Sequence, residues 1–422
     1  MEKKKMYYGW PLIVILGFLY FLTSGFILAT AQMVNPVMMK DIGMSATMLG
    51  LGFTVFVLCS AVPAPLVGQL VAKIGSRNTI ALGGALVTIG SLCMIFFCTN
   101  PVTYIIFFGV FLGTAQIMAG QIAVQATVGV WFDKHRGKAM SIAMGIGGLA
   151  GFVAPLVVTP LMAATGGDWR SGWYLLAAFG VIVIILSMIF VRSRPEDMGL
   201  EIDGGVVAEK AEATKEAKPS KVFRNHEKIT YRQAIKTPTF WFLAIAGCGG
   251  FCGFALTTSQ GVLNFTTLGF DPMFIAGAAS VMGIVSLIAK SFSGFFADHI
   301  DPVKLLIIGM VCQIVGILIG AFASAGWMVY GYYFLIGLGF GIVATNLPTC
   351  VANYFGVAEF SKNLGTTMLI GGLISSGVST FVGMIFDATG ACMAGFLGVA
   401  ALLVVCVICG FLVRKPKIKA ID

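Results

Sequence analysis

Within SLIAKSFSGFFAD, Ser286 to Asp298, a lysine stands in an otherwise apolar run with no acidic residue before Asp298. An ammonium group in such a setting can pair with an anion or carry a proton. In a membrane helix rising about 1.5 Å per residue, Lys290 would lie about 12 Å inside Asp298. That is close to the middle of a hydrocarbon layer about 30 Å thick. A charge at that depth costs roughly 2.5–3.5 kcal/mol on insertion scales. Snorkelling to the surface is the weaker reading, because the side chain covers about half of the distance. A lysine facing a water-filled cavity and awaiting an anion is the stronger one. The other apolar segments offer no partner: every Asp and Glu falls in a loop, a tail or at a segment edge such as Asp387. One cation suits one carboxylate, so the expected ligand is a monoanion rather than a dianion.

Other chemistry-bearing residues are sparse. His135, His226 and His299 all lie in loops. The ten cysteines fall almost entirely in apolar runs, where Cys acts as a small hydrophobe. The close pairs Cys248/Cys252 and Cys406/Cys409 have no histidine beside them, so no metal, redox role or cofactor is expected. No P-loop is present, and no nucleophile motif points to an enzyme. Gln32, Asn35, Gln116, Gln121, Gln125, Gln260, Asn264, Asn346 and the Thr257/Thr258 pair read mainly as helix–helix hydrogen-bonding groups. Asn35-Pro36 is expected to shape the outer end of the first segment.

The elements that must position Lys290 follow from composition. Of the 422 residues, 58% are hydrophobic and 11% charged, and mean hydropathy is +0.94. So few charges cannot cover a soluble protein of this size, and apolar runs longer than about 18 residues read as membrane helices. Twelve are expected, over 8–38, 46–72, 78–97, 102–131, 138–164, 171–191, 238–263, 272–297, 303–323, 326–353, 362–386 and 389–413. The basic start MEKKKMYYGW runs into an apolar stretch too long for a signal peptide and without a cleavage site, so it opens the first span.

The net charge of +9 does not point to nucleic acid, because ten of the 27 Lys and Arg lie in the one loop 192–236. All the basic residues except Lys40, Arg170 and Lys290 fall on the same side of the alternating spans. By the positive-inside rule that side, with both termini, is cytoplasmic. The expected organisation is a six-helix lobe at 1–191, a cytoplasmic linker at 192–236, a second six-helix lobe at 237–413 and a tail at 414–422. The linker is polar and charge-mixed, which suits a flexible tether. ITYRQAIKTPTFWF after it reads as a short helix lying at the membrane interface before the seventh span.

The halves repeat. GQLVAKIGSRNTIALGG from Gly68 matches GFFADHIDPVKLLIIG from Gly294, an offset of 226 residues. VWFDKHRGKAMSIAMG from Val130 matches NYFGVAEFSKNLGTTM from Asn353, an offset of 223. Parallel six-span repeats with a site between them fit a secondary transporter.

On these residues the chain resembles the major facilitator superfamily. Gly68, Gly75 and Arg77 match its signature Gly-x-x-x-Asp-Arg-x-Gly-Arg-Arg, with Ala72 where the signature has aspartate; the second copy keeps it, as Gly294 and Asp298. YYGWPLIV, WFDKHRGKAMSIAMGIGG, RSRPEDMGL and KTPTFWFLA make it similar to bacterial monocarboxylate and oxalate–formate type porters. The resemblance implies a twelve-helix all-α membrane fold and assigns substrate carboxylate binding to Lys290. It places Gln121, Phe340 and Met33 at pocket positions. It also marks departures: Gly371 stands where the oxalate–formate antiporter has a second basic residue, and Leu28, Thr30, Met33 and Ala344 replace pocket aromatics, leaving Phe340. Animal-type monocarboxylate porters have a lysine at the Met33 position and an aspartate at that of Ser286. One charge remains where relatives have two or three.

Gly68, Gly75, Arg77, Asp133, Arg136, Gly294, Asp298 and Lys304, at cytoplasmic helix ends, are the expected gating set, alongside the plainer reading of a solvated face. Gly145, Gly147, Gly148 and Gly151 in span five, with Gly371, Gly372, Ser375, Ser376 and Gly377 in span eleven, form small-residue faces for close or sliding packing, expected between halves. The expected function is secondary transport of a small organic monocarboxylate across the cytoplasmic membrane by a monomer, coupled to protons on family grounds. Anion exchange is the runner-up and efflux of amphipathic compounds a third reading, with a non-transporting membrane sensor last.

Overall fold

The computed structural model describes residues 7–132, 135–202, 229–296, 300–356 and 360–415, a few of them by backbone alone. The centre of the expected linker and most of the expected tail lie outside the described residues. Every regular element among the described residues is helical. Eleven helices are long and apolar enough to cross a membrane, and Ala46–Ala61 is a shorter twelfth apolar helix.

That helix is shorter than its expected span for a local reason. Pro63 precedes the next helix, Ala64–Phe97; proline lacks an amide donor and its ring clashes with the preceding turn. The rest of span two and all of span three then run as Ala64–Phe97, broken at Gly75, whose φ is +81°. A side chain is strained at that φ, and a Cβ there would lie 2.4 Å from Ser193 Oγ. Spans one, four and seven each contain a π turn, at Phe21–Gly25, Ile105–Leu112 and Thr257–Gly261. Such turns often mark functional positions.

By packing the chain forms two units, Met1–Met44 with Val55–Glu216, and Ser45–Thr54 with Ala217–Asp422. In the first, Tyr7 and Tyr8 of YYGW donate to the carbonyls of Trp131 (3.1 Å) and Phe190 (2.7 Å). These bonds tie the start of span one (Gly9–Asp41) to the ends of span four (Pro101–Trp131) and span six (Arg170–Phe190). Asn35 does not break span one; its amide donates to Tyr104 Oη at 2.9 Å, joining span one to span four. The span-five glycines are used inside this unit at Gly147, where a Cβ would sit 1.8 Å from Tyr20 Cδ1, whereas Gly145 has open space.

The second unit contains spans seven (Pro238–Thr267), eight (Pro272–Ser293), nine (Pro302–Ala321), ten (Gly326–Phe355), eleven (Lys362–Thr389) and twelve (Met393–Leu412). Span ten is shaped by alternate glycines. A Cβ on Gly337 would lie 2.6 Å from Met282 O, and one on Gly341 2.6 Å from both Ser286 O and Ala289 Cβ, so this face meets span eight at backbone distance. Gly339 turns the other way, toward Gly309 O of span nine at 2.3 Å. The polar residues of span seven serve helix contacts, as expected. Asn264 donates to Gly320 O at 3.1 Å, Thr257 and Tyr332 share a 2.6 Å hydroxyl bond, and Gln260 donates to Ser379 O at 3.2 Å and Ala46 O at 3.3 Å. Asp387, at the end of span eleven, accepts from the amides of Ala46 (2.8 Å) and Thr47 (2.9 Å).

Candidate functional site

Lys290 lies near the end of span eight, on the helix Pro272–Phe296. Its neighbourhood is set by the glycines of span ten. A Cβ on Gly341 would come within 3.2 Å of Lys290 N, so the lysine backbone rests against span ten and Thr345 Oγ1 donates to Lys290 O at 3.4 Å. From there the side chain reaches back over Phe340, with Nζ 4.8 Å from the ring centroid. Phe340 is stacked on Phe254 of span seven (centroids 4.2 Å, planes 16° apart) and meets Phe251 edge-on at 5.9 Å. Lys290 is exposed, while Phe340, Phe254 and Phe251 are half-buried. Among the described residues no carboxylate lies within ion-pair distance of Lys290.

The structure therefore brings Lys290 and Phe340 together and adds two aromatic residues that the sequence reading did not name. A signal for them existed: Phe251 and Phe254 are three apart, which places them on one helix face. A π face under an ammonium contributes about 0.5–2 kcal/mol. That offsets only part of the roughly 2.5–3.5 kcal/mol that a lysine costs at membrane depth.

Met33 is buried, 5% exposed, in the first unit. Gln121 heads the helix Gln121–Trp131; its side chain lies outside the described residues, as do Asp133, Asp298 and the side chain of Arg136. Gly294 falls in the last turns of its helix. Gly68 is exposed with open space around it. Arg77 follows the break at Gly75, where its amide donates to Ser193 Oγ at 3.4 Å and its guanidinium to Met188 O. Lys304 is exposed in the first turn of span nine, which Asp301 caps through the Val303 amide at 3.0 Å. At the span-eleven position without its second basic residue, Gly371 lies 3.7 Å from Phe251 Cδ2, measured from an added Cβ.

Residues 13–380 match the sequence profile of the Major Facilitator Superfamily. The chain is similar to the MFS-type transporter YhjX of Escherichia coli (strain K12), 21% identical over 81% of this chain and 79% of that one. It is also similar to the oxalate:formate antiporter of Oxalobacter formigenes, 24% identical over 89% and 86%. Its fold is that of a bacterial homologue of the human lysosomal transporter Spinster, solved inward-facing and unoccupied (TM-score 0.73, 16% identity, 97% of each chain). The chain belongs to the Major Facilitator Superfamily. It is a multi-pass membrane transporter and not an enzyme.

Proposed function

We propose that this transporter moves a small organic monocarboxylate across the cytoplasmic membrane by alternating access, coupled to a proton, with the substrate carboxylate paired to Lys290. The observation that carries the reading is an exposed ammonium on a membrane-length apolar helix that rests on a ring and has no carboxylate within reach among the described residues. Aromatic contact leaves part of its cost unmet. A substrate carboxylate supplies the missing charge. A second negative charge would be as costly in the cavity as the lysine is alone, which favours monoanions. Phe340, Phe254 and Phe251 form the wall against which the substrate's carbon skeleton lies. With no acid inside the spans, the proton rides on Lys290 or on the substrate carboxylate itself. The gating set at the helix ends closes the cytoplasmic side.

Similarity to the oxalate:formate antiporter favours a second reading, anion exchange, over most of the chain. In that mode the lysine reorients only when neutralised by one anion or the other. Uptake of labelled lactate, pyruvate, acetate, formate and oxalate into proteoliposomes, with and without a pH gradient and with and without internal anion, separates the two. Stimulation by an inward proton gradient alone supports symport; uptake that requires internal anion supports exchange. Oxalate carried better than every monoanion removes the charge argument.

A further inference from the structure

We propose that a cleft at the membrane boundary of the second unit is a binding site for the phosphate headgroup of an anionic phospholipid. The cleft is lined by Lys236, Thr237, Pro238, Thr239 and Phe242 from the start of span seven and by Leu412, Arg414 and Lys415 from the end of span twelve. Three of these eight residues are cationic and none is acidic. Lys236 and Arg414 are exposed, and neither forms an ion pair among the described residues.

The cleft is built rather than accidental. Thr237 caps the helix Pro238–Leu256 by accepting from the Phe240 amide at 3.3 Å. Its own hydroxyl donates to Ala234 O at 2.7 Å, which fixes the approach of the preceding chain. Thr239 Oγ1 donates to Arg414 O at 2.9 Å and fastens the end of span twelve to the start of span seven. The short helix expected before span seven is present as Tyr231–Ala234 and is held by packing, with Ile229 and Ala234 buried. Trp241 Nε1 donates to Ile235 O at 2.9 Å, and the residue remains 49% exposed in the first turn of span seven.

The chemistry grades from charge to hydrocarbon. The cationic residues accompany Phe242 and Leu412 in the lining, and Leu412 and Phe411 present 43% and 70% of their surfaces outward. Indole rings favour the headgroup level of a bilayer. Basic pockets between helices at the bilayer surface suit acidic headgroups. A free phosphate would use the cations and leave the apolar side idle, whereas a phospholipid uses both. None of these residues belongs to the Lys290 site.

The test uses the purified full-length protein in detergent, titrated with short-chain phosphatidylglycerol, phosphatidylcholine or inorganic phosphate, with bound lipid read by native mass spectrometry. Saturable binding of phosphatidylglycerol that weakens as salt is raised is expected, with little phosphatidylcholine bound. The double variant K236Q/R414Q should bind phosphatidylglycerol about 30-fold more weakly, and K236R/R414K should restore it. Equal binding of phosphatidylcholine, salt-independent binding, unchanged affinity in K236Q/R414Q, or inorganic phosphate displacing the lipid at equal concentration would each overturn the proposal. The salt and headgroup arms use only the unmodified protein and can overturn the proposal even where the variant does not fold.

Discussion

Arg170 and Lys290 both lie within or at the ends of spans and away from the main positive face, and their surroundings differ. Arg170 begins span six in the first unit, with Asp168 at 3.6 Å, Asp41 at 3.7 Å and its guanidinium 4.4 Å from the ring of Trp169. Trp169 in turn donates to Asp41 at 2.8 Å. Lys290 in the second unit has a ring at 4.8 Å and no acid within reach among the described residues. Both cations lie over an aromatic face; only the first has its counter-charge built in. A charge whose partners the chain supplies is accounted for by structure. A charge that the described residues leave open is the one the proposed substrate carboxylate would meet.

The largest effect that can break this contrast is expected at Lys290. Removing one member of a buried charge pair costs about 2–5 kcal/mol, so Lys290→Gln should lower anion uptake by at least about 30-fold in proteoliposomes. Normal uptake would return Lys290 to the class of Arg170. Next is Gly341→Val. Its Cβ alone would lie 2.6 Å from Ser286 O and Ala289 Cβ, and overpacking costs about 1–3 kcal/mol. Thermal stability should fall, and KM should rise because span eight and its lysine are displaced. A KM unchanged in a folded variant would detach the lysine from the glycine contact. Smaller again is Phe340→Leu, which removes an aromatic contribution of about 0.5–2 kcal/mol. KM should rise by about 2- to 30-fold with Phe340→Tyr near normal; an equal loss in both would assign the ring to packing alone. The smallest change is expected for Arg170→Gln, because exposed ion pairs contribute about 0–1 kcal/mol. Uptake within about fivefold of the parent is the expected result, and a loss matching that of Lys290→Gln would erase the difference between the two cations.

Much of this contrast is legible in the chain itself. Lys290 is conspicuous because charge is rare in apolar runs, and its lack of an acidic partner can be checked by reading every other segment. Asp41, Asp168 and Arg170 cluster at segment edges, where polar loops are expected. The all-helical architecture follows from hydropathy and length. The aromatic floor was harder to see, because Phe251 and Phe254 become neighbours of Phe340 only through packing of spans seven and ten, which no periodicity within one helix reports. The sequence singles out the glycines of span five as a small-residue face but not those of span ten. Their surroundings separate them: Gly147 accommodates Tyr20, whereas Gly341 admits the backbone of Lys290. The interruption of the second span was visible as Pro63 and Pro65, although an apolar run reads straight through them when hydropathy alone is followed.

The π turn at Thr257–Gly261 has a consequence of phase. On one side of it Phe254 lies against Phe340, and within it Gln260 reaches Ser379 of span eleven. An α-helix advances about 100° per residue, so the extra residue held in the wide turn acts as an angular offset between the two ends of span seven. Before the turn Phe254 meets span ten, within it Gln260 meets span eleven, and beyond it Asn264 meets Gly320 of span nine. Taking a single residue out of this turn would leave both sets of side chains in the chain and rotate one out of alignment with the other.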